Sequence, residues 1–189
     1  MTAQTVRRIP GESGTWVFLF GDMVVFGVFF VTFMVERAKA PEVFDIARRT
    51  LHIGVGVTNT LVLLTSSLFV VAALGAIRSR MRPLAANALY AAFGCGLLFV
   101  GLKVFEYVAL ASAGHGPGAN HFYLYYFILT GLHLLHVCIG LAVLGLLVTQ
   151  ARRAELSETR LALVEGGACF WHLVDLLWIF LFALLYLVS

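Results

Sequence analysis

The chain has 189 residues, of which 61% are hydrophobic and only 12% are charged. Soluble domains have roughly 45–50% apolar and about 25% charged residues, so this composition excludes an ordinary soluble domain and indicates an integral membrane protein. The formal net charge of +3 comes from arginines in the loops and not from a basic tract of the kind that binds nucleic acid.

Five segments are long and apolar enough to cross the hydrocarbon core as helices, which takes about 20 residues. They run from Gly14 to Val35, Gly54 to Ile77, Ala86 to Ala111, Phe122 to Thr149 and Val164 to Val188. The links between them are short, so neighbouring spans should be antiparallel. The sequence predicts an all-α membrane protein in which residues 1–189 form one domain, a five-transmembrane-helix bundle.

The distribution of basic residues gives the orientation of the bundle. Eight arginines lie in the loops on the N-terminal side, whereas the basic residues of the opposite side are largely offset by acidic ones. Because short cytoplasmic loops carry an excess of lysine and arginine, the N terminus is predicted inside and the C terminus outside. On the outer side, the segment PEVFDIARRTL has apolar residues at helical spacing behind Pro41. It is predicted to form a short interfacial helix, with a solvated loop as the alternative.

Ionisable side chains fall inside the predicted spans. Each costs roughly 2.5–3.5 kcal/mol on insertion scales, so each is expected to face protein and to have a partner. At a rise of about 1.5 Å per residue, several of them occupy a common depth near the middle of the bilayer, and Asp22 and His172 are expected to be level. The predicted buried polar or proton-active candidates are Asp22, His133, His136, His172, Asp175 and Glu165.

A second polar layer is predicted nearer the outside. Asn59, at the start of the second span, comes level with Glu106, at the end of the third. Lys103 lies one turn from Glu106 and can pair with it or extend its ammonium outward. Glu106 is expected to serve as the acceptor for both Lys103 and Asn59.

The histidines allow three interpretations. His133 and His136 share one helix face, and with His172 they could supply three nitrogen ligands to a metal or haem. They could also handle protons or lipid headgroups. The third interpretation is a structural network, in which Asp22, Asp175 or Thr130 hydrogen-bonds the imidazoles, as is usual for buried histidines. No metal site is predicted.

Five motifs occur in an order that resembles one known family. They are WVFLFGDMVVFGVFF with Asp22, TNTLVLLTSS with Asn59 and Thr60, KVFEY with Glu106 and Tyr107, TGLHLLHVCIG with His133 and His136, and VEGGACFWHLVDLLWIFLF with Glu165, His172 and Asp175. Together they resemble subunit III of the haem–copper respiratory oxidases (cytochrome c oxidase subunit 3). The resemblance covers nearly the whole chain, as the last five of that subunit's usual seven helices.

Two departures from the long form of the family are visible. Its two leading helices are missing, and Asp22 stands where the long form has glutamate. The missing helices imply that the family's lipid-holding cleft is incomplete or is built with a partner. Five helices resemble the short branch, which includes NorE-like proteins associated with nitric oxide reductases and the short third subunits of some bacterial terminal oxidases.

The resemblance implies an accessory, non-redox subunit with no catalytic centre of its own. Haem and copper would reside in the partner, the catalytic subunit I of a cytochrome c or quinol oxidase or of a nitric oxide reductase. The chain would stabilise that subunit, bind phospholipid and support proton and oxygen access in the bacterial cytoplasmic (inner) membrane. The alternatives are a haem-binding membrane anchor, which predicts haem absorbance from the isolated chain, and a small transporter, which predicts uptake by the chain reconstituted alone.

Overall fold

The computed structural model describes residues 13–153 and 157–188, and these are predominantly helical. The helices are α1 (Ser13–Lys39), α2 (Pro41–Arg48), α3 (Ile53–Arg78), α4 (Arg82–Ser112), α5 (His121–Ala151) and α6 (Glu158–Phe182), and α6 continues into a π-helical turn, Ala183–Leu187. Among the described residues, α1, α3, α4, α5 and α6 with its π-helical turn are long and apolar enough to span a membrane. The predicted all-α architecture with five spans is confirmed.

Four of the long helices form a closed ring. α3 packs against α4 and α6, and α5 packs against the other sides of α4 and α6. α1 lies outside this ring against α5 and α6, and most of its surface faces away from the protein. Lipid tails are as apolar as valine, so exposing side chains such as Val17, Val24 and Val31 to lipid carries no hydrophobic penalty.

The segment PEVFDIARRTL forms a helix, so the helical alternative is the correct one. Pro41 occupies the first turn of α2, where its missing N–H costs no hydrogen bond. Phe44 is buried, with edge-to-face ring contacts to Phe33 of α1 and Phe122 of α5. At the end of α2, Arg48 Nη1 donates a 3.1 Å hydrogen bond to the carbonyl of Tyr186. α2 therefore holds the same end of α1, α5 and the π-helical turn together.

Small residues let the ring close at one point. A Cβ atom on Gly140 of α5 would lie 2.7 Å from the ring of Trp171 on α6. A Cβ on Gly96 of α4 would lie 2.7 Å from Leu141 and 2.9 Å from the same Trp171 ring. Trp171 is thus packed between two glycines, the kind of close approach that small residues allow between membrane helices.

Candidate functional site

The centre of the predicted outer layer is a buried ion pair. Lys103 is fully inaccessible and Glu106 is 4% exposed, and Lys103 Nζ donates a 2.8 Å hydrogen bond to Glu106 Oε2. The two residues are three apart on α4 and therefore share a face, as the sequence predicted. The pairing is confirmed, and Lys103 does not extend its ammonium toward the surface.

Two tyrosines complete this pair. Lys103 Nζ also donates to the hydroxyls of Tyr126 at 3.0 Å and Tyr186 at 3.3 Å, and Tyr186 in turn donates to Glu106 Oε1 at 2.6 Å. An ammonium has three donors, so each has an acceptor, and both carboxylate oxygens accept. We call Lys103, Glu106, Tyr126 and Tyr186 the lysine cluster. Sequence reasoning did not assign the two tyrosines, although both lie on apolar helices where a hydroxyl needs a partner.

Aromatic rings enclose the ammonium on its remaining sides. Lys103 Nζ lies 4.9 Å from the ring centroids of both Tyr126 and Trp178. The negative faces of these rings add a cation–π attraction to the hydrogen bonds. The lysine cluster draws on α4, α5 and the π-helical turn, and Trp178 adds a contact from α6. This full set of partners compensates for the cost of burying both charges.

The lysine cluster is flanked by two side-chain hydrogen bonds between helices. Trp178 Nε1 donates to Thr60 Oγ1 at 3.0 Å, which joins α6 to α3. Tyr107 donates to Thr130 Oγ1 at 2.7 Å, which joins α4 to α5. Thr60 and Tyr107 belong to the Asn-Thr and Glu-Tyr pairs that carried the resemblance, and both pairs thus contribute to closing the ring.

Asn59 does not join the lysine cluster, so the expected bond to Glu106 is wrong. Both oxygens of Glu106 are occupied by Lys103 and Tyr186. Asn59 is fully buried, yet neither its amide oxygen nor its amide nitrogen has a hydrogen-bond partner within the described part of the chain. The Ser66–Ala92 hydrogen bond sets the register of the antiparallel α3 and α4, and this register places Asn59 opposite a residue about seven positions, or about 10 Å, from Glu106. The predicted common depth of Asn59 and Glu106 is therefore wrong.

In the predicted inner layer, Asp22 meets His136. Asp22 Oδ1 lies 3.5 Å from His136 Nε2, and His136 Nδ1 donates a 2.8 Å hydrogen bond to the carbonyl of Leu132. The backbone carbonyl can only accept, so it fixes the proton on Nδ1 and turns Nε2 toward α1. The Asp22 side chain is 16% exposed, less buried than predicted, because α1 lies at the edge of the bundle.

His172 has a different partner. Its Nδ1 lies 2.6 Å from the hydroxyl of Ser67 on α3. Asp22 and His172, which were predicted to be level, therefore bond to different partners. Asp175 is buried as predicted, at 5% exposure, whereas His172 is only partly buried.

Glu165 lies at the end of the bundle rather than in its interior. Its Oε1 accepts a 2.8 Å hydrogen bond from Arg78 Nη2, and the two side chains are 18% and 56% exposed. Like Asp22, Glu165 is therefore less buried than predicted. The shared helix face with His172 is correct, but seven residues carry Glu165 about 10 Å toward the loops.

His133 has no hydrogen bond at all to the described residues. It is fully buried, and its ring contacts Phe99 at 5.7 Å and Trp178 at 5.3 Å between centroids. Neither ring nitrogen has a partner there. The expectation that both histidines of the H-x-x-H pair are hydrogen-bonded holds for His136 only, because one turn separates them and different helices face them.

The described residues do not form a metal centre. Residues 13–153 and 157–188 contain no group of three or more histidine, cysteine, aspartate or glutamate side chains that could hold a metal ion. His133 is enclosed by aromatic rings, and His136 Nδ1 is committed to a carbonyl. His172 is bonded to Ser67. The three histidines therefore have different neighbours and do not converge on one point.

Two cavities adjoin these polar groups. One, of about 150 Å³, opens beside the end of α4 and is lined by Thr50, His52, Glu106 and His115 among others. The other, of about 270 Å³, lies between α1 and α6 and is almost entirely apolar, with His172 as its main polar wall. The second cavity is open toward the surroundings of α1.

With this arrangement established, comparison with known proteins identifies the family. The model of the cytochrome c oxidase subunit III family matches residues 5–189. The chain belongs to this family. It is therefore an accessory, third subunit of a haem–copper oxidase complex and a multi-pass membrane protein.

Two relatives are similar to this chain over most of their length and most of its own. The chain is 25% identical over 178 residues to a probable quinol oxidase subunit 3 of Staphylococcus aureus, covering 94% of this chain and 89% of that protein. It is 28% identical over 177 residues to the cytochrome bo(3) ubiquinol oxidase subunit 3 of Buchnera aphidicola, covering 92% and 84%. These relatives are only slightly longer than this chain.

Proposed function

We infer that this subunit III packs beside the catalytic subunit I of a bacterial terminal oxidase in the inner membrane and stabilises it without redox chemistry of its own. The observation that carries the proposal is the state of Asp22. This carboxylate lies on the peripheral helix α1, and its Oδ2 has no hydrogen-bond partner among the described residues. A carboxylate at membrane depth needs a complete set of partners. A neighbouring subunit seated against α1 would supply the missing ones.

The polar interior supports an architectural role. The lysine cluster is closed to the surroundings apart from the small cavity beside Glu106, and its groups satisfy one another. Such a cluster holds α4, α5 and the end of α6 in one arrangement, since breaking it would leave a charge unpaired in the interior. We propose that this rigidity is what the subunit contributes to the durability of the complex. Support of proton and oxygen access remains part of the proposal.

Lipid is the second proposed ligand. The cavity of about 270 Å³ between α1 and α6 is lined by Trp16, Leu19, Phe20 and Met23 and by residues of α6. Its apolar walls and its opening toward the surroundings of α1 suit a phospholipid acyl chain. We propose that the partner subunit completes the cavity.

The test is purification of the tagged chain from its native membrane in mild detergent, with proteomics and an optical spectrum. We expect a large polytopic partner that carries haem, and a chain free of haem once separated. Asp22→Ala should lower the yield of the partner or the turnover of the complex, while Glu165→Gln, which alters a carboxylate at the bundle end, should leave both unchanged.

The alternatives give different results in the same experiment. A lone chain without a chromophore would overturn the proposal and favour a transporter, and a lone chain that keeps haem would favour a membrane anchor. A nitric oxide reductase as the recovered partner would support the NorE-like prediction. The two named relatives are quinol oxidase subunits, so we propose an oxygen-reducing partner.

A further inference from the structure

We propose that the core of the four-helix ring contains a bound water molecule that bridges the amide of Asn59 and the imidazole of His133. This site is separate from the lysine cluster and from the Asp22–His136 pair. It lies in one layer of the bundle, to which α3 contributes Asn59, α4 Phe99, α5 His133 and α6 Trp178.

Contacts between the helices place Asn59, Phe99 and Trp178 at one level. Ser66 of α3 bonds to the carbonyl of Ala92 on the antiparallel α4. Because the two helices are antiparallel, seven residues back along α3 and seven residues forward along α4 lead to the same height. This register makes Asn59 level with Phe99. Trp178 Nε1 bonds to Thr60, the neighbour of Asn59, which places α6 at this height as well.

The α5 residue of the layer is placed by ring contacts. His133 contacts Phe99 at 5.7 Å and Trp178 at 5.3 Å, and Phe99 contacts Trp178 at 4.8 Å. The imidazole thus belongs to the same layer as the Trp178 indole, whose Nε1 bonds to the residue next to Asn59. Asn59 and His133 are the two members whose polar atoms have not found partners.

Four buried polar atoms in this layer need hydrogen bonds. They are Oδ1 and Nδ2 of Asn59 and Nδ1 and Nε2 of His133, and both residues are fully inaccessible. Buried polar groups in proteins are almost always hydrogen-bonded, and where no side chain serves, an ordered water does. An internal water makes about three hydrogen bonds. An amide and a neutral imidazole offer both donors and acceptors, so a water between them can bond to one imidazole nitrogen and to the amide of Asn59.

The position of the layer gives the water a further consequence. Along α5, His133 lies between Tyr126, which belongs to the lysine cluster, and His136, which faces Asp22. A water bonded to His133 would therefore sit between the lysine cluster and the Asp22–His136 pair. It would connect the two polar regions of the bundle through hydrogen bonds, where the side chains alone leave a gap.

A thermal-unfolding cycle in the detergent-solubilised complex tests the bridge. Asn59→Leu and His133→Phe should each lower the melting temperature, because each leaves the other partner and the water incompletely bonded. The double variant should regain most of the loss, since no polar group then remains to be satisfied. If no water bridges them, the Asn59 amide and the His133 imidazole are both unsatisfied. Replacing either one by an apolar residue would then raise the melting temperature. That result would overturn the proposal.

A control separates this coupling from general loss of packing. Ser66→Ala removes another buried hydroxyl of α3, one whose bond goes to the Ala92 carbonyl. Combined with His133→Phe, it should give additive shifts. Equal coupling of Ser66 and Asn59 to His133 would count against a specific bridge.

Direct observation decides between a water and a side-chain contact. A cryo-electron microscopy map of the unaltered complex, at a resolution that shows ordered waters, should contain a density peak within hydrogen-bond distance of both Asn59 and His133. A direct Asn59–His133 hydrogen bond, or apolar packing without such a peak, would overturn the proposal even if the variants do not fold.

Discussion

Lys103 Nζ and Glu106 Oε2 lie 2.8 Å apart in a pair with almost no access to the surroundings. Arg78 Nη2 and Glu165 Oε1 form another pair of a basic residue with a glutamate, at the same 2.8 Å. The distances are equal but the surroundings differ, since the second pair is 56% and 18% exposed. Comparing the two pairs therefore shows how much burial, at equal N–O distance, changes the contribution of an ion pair to stability.

Glu106→Gln should strongly destabilise the protein. The amide keeps the shape of the side chain but leaves the Lys103 ammonium as an uncompensated buried charge, at a cost of about 3–5 kcal/mol. Thermal unfolding of the purified complex, or of the chain in detergent, measures the loss. A variant as stable as the parent would mean that the pair is not buried in the assembled protein.

Glu165→Gln is the matched change at the exposed pair. Water and neighbouring groups can replace the lost partner of Arg78, so the expected loss is about 0.2–1 kcal/mol. The same unfolding measurement should rank the two glutamine variants far apart. Similar losses at both positions would contradict the assignment of Glu106 to the interior and Glu165 to the bundle end.

The burial of the lysine pair also predicts recovery in a double variant. Lys103→Met with Glu106→Leu removes both charges together, so neither is left unpaired, and the stability should return toward that of the parent. The hydroxyls of Tyr126 and Tyr186 still have each other, at 3.4 Å. If the double variant is less stable than Glu106→Gln alone, the hydrogen bonds and packing of the two side chains stabilise the bundle in addition to the neutralisation of their charges.

Sequence alone predicted the helices and one of the polar contacts well. Apolar length defined the five spans, and a spacing of three residues on one helix defined the Lys103–Glu106 pair. Both are local properties of a helix. The sequence did not predict which histidine Asp22 contacts, because depth along the membrane normal says nothing about which faces of two helices meet.

The errors of the sequence analysis have the same origin. Asn59 is level with Phe99 rather than with Glu106, and the carboxylate of Glu165, on the same helix face as His172, bonds to Arg78 of α3. Tyr186 was overlooked because its hydroxyl reaches Glu106 from a π-helical turn, 80 residues further along the chain. Helix rotation and long-range pairing are set by packing, which no single helix reveals.

Thr60→Val should destabilise the junction of α3 and α6. Valine removes the acceptor of Trp178 Nε1, which is buried, and an unsatisfied buried donor costs about 1–3 kcal/mol. Thr58→Val is the control on the same helix, since the Thr58 hydroxyl bonds only to the backbone of its own helix, at Gly54, and is exposed. The melting temperature should fall for the first variant and stay nearly constant for the second. Equal shifts would show that the Trp178 bond contributes little.

Gly140→Ala should disrupt the seam between α5 and α6. The added methyl would lie 2.7 Å from the buried Trp171 ring, closer than any real contact, so the helices or the indole must shift, at a cost of about 1–3 kcal/mol. Gly131→Ala on the same helix meets nothing within 4 Å and should be tolerated or slightly stabilising, because alanine favours helix. Unfolding of both variants in parallel tests the difference. If Gly140→Ala is as stable as Gly131→Ala, Trp171 does not occupy the gap between Gly96 and Gly140, and the close packing of α4, α5 and α6 must be revised.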